Sequence, residues 1–239
     1  MCKKKYLLLL LLITSVSFSQ KTGTGSINYK ATIKKSVYNK KIDAQNEKLI
    51  KLYNIIKSQT DKGYVLYFKN EESIFKGEPK MKNDASNEFD AVSIIAGDGV
   101  YYYDFLKNEI LLQEEILGEN FIIKDLKYKW KFTQETKKIG SYLCYKATTV
   151  KNIVNRKGIK FKRPIVAWYT LELPIKFGVK DYVGLPGATI VLEEPKVTFT
   201  ATKINFNDSK VEEIKKPIKG KLVTQEELNS FIKENMYRN

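Results

Sequence analysis

The sequence predicts a mainly β (α+β) fold: a single curved or partly closed antiparallel β-sheet with one or two helices. Three observations predict it. Apolar and polar residues alternate over short runs, the period of a half-buried strand. Turn residues (Gly, Asn, Asp, Pro) punctuate those runs at short intervals along most of the chain. The period changes to a helical one at only two places, residues 43–58 and the segment after Thr224.

The first twenty of the 239 residues read as an export signal. Lys3, Lys4 and Lys5 give a basic start, Leu7 to Ile13 an aliphatic run, and Ser17 and Ser19 the small side chains of a cleavage site before Gln20. That run is too short for a membrane-spanning helix, which needs ~20 apolar residues. Cys2 precedes the apolar run, whereas a lipidated cysteine follows it, so no lipid anchor is expected. The predicted organisation is a signal peptide at 1–19 and one β-rich domain at 20–239, placed in the periplasm or at the outer membrane. Lys3, Lys4 and Lys5 leave with the signal, taking the formal net charge from +15 to +12.

From Ile27 the chain alternates cleanly: Ile27, Tyr29, Ala31 and Ile33 face one way, Asn28, Lys30, Thr32 and Lys34 the other. In 43–58, Leu49, Ile50, Leu52, Tyr53, Ile55 and Ile56 recur at helical spacing with Asp43 as N-cap, a pair of β segments being the alternative. Asp61-Lys62-Gly63 reads as a turn. Strand-like runs follow at Tyr64–Lys69, Ser73–Lys76, Val92–Ala96, Gly99–Phe105, Glu109–Leu112 and Asn120–Lys124. Gly97-Asp98-Gly99 between two of them resembles a hairpin turn. Tyr101-Tyr102-Tyr103 places aromatic rings on both faces of its strand, one in the core and one on an amphipathic outer surface.

The second half reads as a meander. Tyr128, Trp130 and Phe132 share one strand face, Lys137 to Gly140 turn the chain, and Tyr142 to Ala147 return. Asn155 to Gly158 is another turn, Ile165 to Leu173 a long strand, and Thr189–Glu193 and Val197–Asn205 complete the series. Thr224-Gln225-Glu226-Glu227 is a capping box opening a short helix with Leu228, Phe231, Ile232 and Met236 on one stripe.

Composition excludes several chemistries. With no histidine, Ser-His-Asp and Cys-His catalysis and histidine-ligated haem or zinc are out. Cys144 is the one cysteine left after signal removal, so there is neither a disulfide nor a thiolate metal cluster. It reads as a small buried hydrophobe. No cofactor, no metal and no nucleic-acid partner are expected; the lysines are scattered singly on solvent-facing strand positions, as at Lys127, Lys129 and Lys131. Glu114-Glu115 and Glu193-Glu194 are adjacent carboxylates that alternation sends to opposite faces. Asp104, Asp181 and Asp208 are isolated.

The most distinctive motif is Gly184-Leu185-Pro186-Gly187. Pro186 fixes φ near −65° and Gly187 accepts φ > 0, the signature of a type II turn. Leu185 is pushed toward extended geometry by the following proline. The motif ends an ordered series: Trp130, the turn ending at Gly140, Tyr142-x-Cys144-x-Lys146-Ala147, Ala167-Trp168-Tyr169-Thr170, Leu173-Pro174 and Gly178. Over roughly residues 128–193 this series resembles the GLPGLI family of exported Bacteroidetes proteins. Here Ala188-Thr189 stands where the family has Leu-Ile, and Gly178-Val179 where it has Gly-Pro. The resemblance implies an exported, sheet-rich protein and carries over no catalytic residue.

Two functions follow as expectations. The first is a non-catalytic binding or structural protein of the envelope, with an apolar or glycan ligand in the concave face and Trp130, Trp168 and Tyr169 as contact or core residues. The second is a hydrolase working with carboxylates alone. A periplasmic partner of an outer-membrane assembly is a third reading.

Overall fold

A computed structural model describes residues 23–38, 47–79, 90–124, 126, 128–154, 159–209, 211 and 213–236. The predicted signal peptide, Cys2, the Asp43 cap, the polar stretch Lys80–Glu88 and the Asn155–Gly158 turn lie outside the described residues. Among the described residues twelve strands form one sheet in the order β12-β6-β5-β4-β3-β2-β1-β11-β10-β9-β8-β7. Strand β1 (Gly25–Ile33) sits at the centre, paired on one side with β2 (Asp61–Lys69) and on the other with β11 (Val197–Phe206). From β2 the chain meanders outward through β3 (Glu72–Gly77), β4 (Val100–Asp104), β5 (Glu109–Ile116) and β6 (Glu119–Lys124). It then jumps to the far edge at β7 (Lys131–Ile139). From there it meanders inward through β8 (Tyr142–Val154), β9 (Lys160–Thr170) and β10 (Ala188–Glu193) to β11. Strand β12 (Lys221–Thr224) returns to lie parallel to β6, which makes the sheet mixed and leaves it open at both edges.

That jump requires the sheet to curl. The link from Lys124 to Lys131 is seven Cα steps and reaches at most about 25 Å. In a flat sheet β6 and β7 would stand ten strand spacings apart, about 48 Å. Only a strongly curved sheet brings the two within reach, and its hollow holds the main core. Tyr29, Tyr64, Phe68, Phe75, Phe121 and Phe199 are at most 1% exposed. The rings interlock: Tyr64 stacks on Phe75 at 5.5 Å, and Phe199 meets Tyr64 edge-on at 5.4 Å.

Among the described residues four helices accompany the sheet, where the sequence predicts one or two: α1 (Lys35–Tyr38), α2 (Glu47–Ser58), α3 (Ala91–Ala96) and α4 (Gln225–Met236). The helical reading of 43–58 holds over α2. The strand expected at Val92–Ala96 is instead α3. Asp90 caps it, accepting the Ser93 N–H at 3.0 Å, and Ala91, Val92, Ser93 and Ala96 are buried while Ile94 is exposed. An apolar run this short carries both periods, and the cap decides between them. Gly97, at φ 90°, ends that helix by donating to Ser93 O at 2.7 Å, so Gly97-Asp98-Gly99 is a helix exit and not a hairpin. Asp61-Lys62-Gly63 is no turn either, since these residues begin β2 opposite Thr32 to Lys30. Lys137 to Ile139 continue β7, and the chain reverses only at Gly140-Ser141, with Gly140 at φ 59°. Tyr128 and Trp130 precede β7, so they do not share a strand face with Phe132.

The outer face of β3–β6 is covered, not amphipathic. Tyr102, Leu111 and Ile122 form a second apolar cluster beneath Ile214 of the segment returning to β12. Lys216 pins that segment to Glu109 at 2.7 Å. The capping box of α4 forms as read: Thr224 N–H donates to Glu227 at 2.7 Å and Glu227 N–H to Thr224 Oγ1 at 3.2 Å. Leu228 is buried and Phe231 packs on Phe121 with ring centres 4.9 Å apart.

Candidate functional site: the plug of the curved sheet

Between β9 and β10 the chain leaves the sheet for residues 171–187 and runs into the hollow. Ile175, Phe177, Val179, Tyr182 and Leu185 are all at most 6% exposed. Phe177 lies between Phe68 of β2 and Tyr103 of β4, at 5.8 and 6.2 Å between ring centres. The segment is therefore a plug that joins the two meanders. It turns tightly at Val179–Tyr182, where Tyr182 N–H donates to Val179 O at 3.1 Å and Lys180 takes φ 59°. Gly178 is needed there: a Cβ on it would stand 2.0 Å from Tyr182 O.

The turn tip carries Asp181 into the core at 0% exposure. Its Oδ2 accepts from Tyr128 Oη at 2.6 Å and from Lys151 Nζ at 3.1 Å. Lys180, 8% exposed, points to Glu194 Oε1 at 2.7 Å, just past β10. Asp181 Oδ1 has no hydrogen-bond partner among the described residues. Burial works to raise the Asp181 carboxyl, but Lys151, Lys180 and the Tyr128 and Lys151 hydrogen bonds outweigh it and hold it below the usual carboxylate range. The tyrosines are pushed the other way. Burial, then the Asp181 charge and hydrogen bond, raise Tyr128; burial, then Asp181, Glu114 and Glu194, raise Tyr101. Both hydroxyls stay neutral, and Tyr128 donates to Asp181. Glu114 of β5 is raised by burial, which Lys180 and Lys151 only partly offset.

Chemically this is a set of paired charges that joins the plug to β8 and to the segment just past β10. It contains no nucleophile activated by a base. Each of the two hydrogen-bonded carboxylates is held by a lysine, Asp181 by Lys151 and Glu194 by Lys180. A polar depression elsewhere, lined by Ser58, Gln59, Lys62, Glu78 and Asp90 among others, is likewise satisfied. Lys62 reaches Asp90 at 3.2 Å and Asp98 at 2.9 Å, and Asn28 donates to Glu78 at 2.7 Å. Among the described residues no group of acidic or thiol side chains has metal-binding geometry.

The residues singled out from sequence divide between faces. Trp130 donates from Nε1 to Val183 O at 2.8 Å and packs on Tyr182, so it fastens the plug. Trp168 and Tyr169 lie on opposite faces of β9, opposite Lys146 and Tyr145 respectively. Trp168 is buried beneath Lys137, whose ammonium is 3.9 Å from the ring centre, while Tyr169 meets Phe132 and Tyr145. These three aromatics do not form one surface. Cys144 is fully buried, and burial followed by the Glu172 charge pushes its thiol up.

The Gly184–Gly187 motif closes the plug, with the two glycines in interchanged roles. Gly184, not Gly187, has positive φ, at 87°. Gly187 is needed for close approach, because a Cβ there would stand 1.9 Å from Thr170 O. The Ala188 N–H that would close a type II turn donates to Leu173 O at 2.8 Å, which ties the end of the plug to its beginning. The adjacent pairs Glu114-Glu115 and Glu193-Glu194 do diverge. Glu193 faces Lys34 at 3.3 Å while Glu194 faces Lys180. What the sequence reading missed is that Glu114 and Glu194 gather around Asp181. The one available signal was a Lys-Asp pair, Lys180-Asp181, inside an otherwise apolar run.

A family model described as "Protein of unknown function (Porph_ging)", a domain found in Bacteroidetes, matches residues 130–193. That span starts at Trp130 and ends at the last residue of β10, so it contains the whole plug. No curated protein matches the chain. Among solved structures the chain is similar to PNGF-II in two crystal forms. The P21 form gives 17% identity over 88% of this chain with TM-score 0.50, the C2 form 18% over 90% with TM-score 0.48. The chain spans about a third of the length of PNGF-II, 33% and 32% in the two forms. At that identity the likeness concerns the fold alone.

Proposed function

We propose that this chain is an exported, non-catalytic protein of the bacterial envelope, of the GLPGLI type, that works through its outer surface. The observation that carries the reading is the plug. Where a curved sheet would hold an apolar or glycan ligand, the chain's own Ile175, Phe177, Val179 and Tyr182 are packed. The charged groups beneath them are neutralised in pairs, Asp181 with Lys151 and Lys180 with Glu194. Ligation of a partner then falls to exposed strands at the sheet's rim. Export rests on the basic and aliphatic start of the chain. No helix among the described residues is long and apolar enough to cross a membrane.

A hydrolase built on Asp181 and Glu194 is the second reading, favoured by the unpartnered Asp181 Oδ1. Two hydrolytic carboxylates need open space between them for substrate and water. Incubating the purified protein with a panel of chromogenic glycosides and esters decides between the two. The non-catalytic reading expects no product above the blank. Turnover that disappears in both Asp181→Asn and Glu194→Gln, with both variants folded, would establish the hydrolase instead.

A further inference from the structure

The plug is a loop with a closed neck. Ala188 N–H donates to Leu173 O at 2.8 Å, and Ala188 pairs with Thr170 in the β9–β10 ladder. Loops whose ends meet in this way are packed as units, and local opening takes such units. Leaving the hollow breaks no pairing between strands. The small bridge between Val179 and Tyr182 lies within the loop and travels with it. Nor does the main core depend on the plug. Tyr29 meets Phe75 at 6.0 Å and Phe199 meets Phe75 at 5.9 Å, contacts that involve no plug residue.

Charge holds the tip in place. Lys180 and Asp181 are neighbours of opposite sign, both buried. Facing them are Lys151 of β8, Tyr128 ahead of β7, Tyr101 of β4, Glu114 of β5 and Glu194 past β10. Asp98, which also acts on Glu114, is paired with Lys62. The tyrosines stay neutral, every anion is a carboxylate and every cation a lysine, so acid removes one sign only. With Asp181, Glu194 and Glu114 protonated, the ammonium groups of Lys180 and Lys151 remain without their counter-charges. Lys180 is then left with the Phe199 ring, its Nζ 5.4 Å from the ring centre. A buried ion without its partner is strongly unfavourable. The Lys151 side chain is 28% exposed and can turn to water, whereas that of Lys180, at 8%, reaches water only if the tip leaves.

We infer that the plug is an acid-sensitive gate: protonation of the carboxylates around its tip lets the loop between Leu173 and Ala188 open from its neck while the sheet stays folded. The ring contacts of Phe177 and the Trp130–Val183 hydrogen bond do not respond to acid and oppose exit. The open form is therefore a minority in exchange with the closed one, and it bares Phe68 and Tyr103 to the hollow. At neutral pH the gate is shut, as the non-catalytic reading requires.

Hydrogen exchange read by mass spectrometry tests it, at about pH 7 and about pH 3, above and below the ordinary carboxylate range. Rates are compared as protection factors, which remove the intrinsic effect of pH on exchange. Stranding one buried charge shifts an opening equilibrium by roughly 100-fold or more, so protection over 175–185 should fall by that factor in acid. Protection in β1, paired on both sides, should change by less than about tenfold. Lys180→Met removes the cation of the tip and leaves Glu194 unpaired at neutral pH but uncharged in acid. That plug should be less protected than the parent's at neutral pH and show no fall in acid. The proposal is overturned if the plug and β1 lose protection together, if the plug keeps its protection in acid, or if Lys180→Met shows the parent's fall. None of these outcomes bears on hydrolysis, which the substrate panel reads separately.

Discussion

Replacing the two glycines of the Gly184–Gly187 motif with alanine, one at a time, separates two physical causes. At Gly187 the backbone lies outside the left-handed region, so alanine meets no conformational penalty, only a collision. Its Cβ would stand 1.9 Å from Thr170 O and 2.8 Å from Thr170 C, both backbone atoms. To reach 3.0 Å, β9 and the plug end must part by at least about 1.1 Å. That movement pulls on the Ala188–Leu173 hydrogen bond and on the pairing of Ala188 with Thr170. Overpacking costs about 1–3 kcal/mol, and a buried backbone group left unsatisfied about 1–3 kcal/mol more. A total of roughly 2–6 kcal/mol lowers Tm by about 4–24 °C in a chain of this size. At Gly184 the space is open, the nearest atom being Trp130 Cδ1 at 4.0 Å. There the penalty is φ 87° alone, about 1–2 kcal/mol, less ~0.4–1 kcal/mol recovered from the unfolded chain. Thermal and urea unfolding followed by circular dichroism measures both. If Gly184→Ala melts as low as Gly187→Ala, or lower, the close-approach argument is wrong and the motif is an ordinary positive-φ turn.

The charged cluster predicts opposite pH effects for two carboxylates. Asp181 is held below its unfolded value, so the stability it contributes is full above the ordinary carboxylate range and is lost as pH falls through the depressed value. Acid titration of Tm should therefore be flatter in Asp181→Asn, which also loses ~3 kcal/mol at neutral pH by breaking a buried pair. Glu114 is held above its unfolded value, so it destabilises increasingly as pH rises through that window. Glu114→Gln should raise Tm at neutral pH and show no gain in acid; a lowered Tm at neutral pH would mean that Glu114 is a needed partner of Lys180. Cys144, fully buried with its thiol pushed up, should react with a thiol reagent only at the rate of unfolding. Rapid labelling of the native protein would show that the site is open.

Strands were legible wherever neighbours share a face. Ile27 to Ile33 alternates because β1 has one face in the hollow, and the structure pairs it as that alternation requires. The capping box at Thr224 was legible because all its atoms lie within four residues. Local pattern failed where two periods fit equally, as at Ala91–Ala96, and where a covering segment arrives from far along the chain. The tyrosine run Tyr101-Tyr102-Tyr103 predicts an amphipathic outer face, whereas Tyr102 is covered with the help of Ile214, more than a hundred residues away.

The plug lies at the limit of such reading, and the reason is geometric. Asp181, Lys151, Tyr128, Glu194 and Glu114 come from five separate stretches, and no spacing links them. Their meeting depends on the curl of the sheet, which follows from topology rather than from any residue pattern: the short Lys124–Lys131 link must join strands ten positions apart. Once the sheet curls, the hollow must be filled, and 171–187 is the stretch that enters it. An apolar plug alone could slide or rotate in an aromatic hollow. Asp181 paired to Lys151 on β8, and Lys180 paired to Glu194 beyond β10, each penalise displacement because it would strand a buried charge. The glycines act at the same segment's ends: Gly178 allows the inner turn, and Gly187 lets the exit pass against Thr170. What the motif marks is thus the closing of a lock whose other parts the sequence scatters.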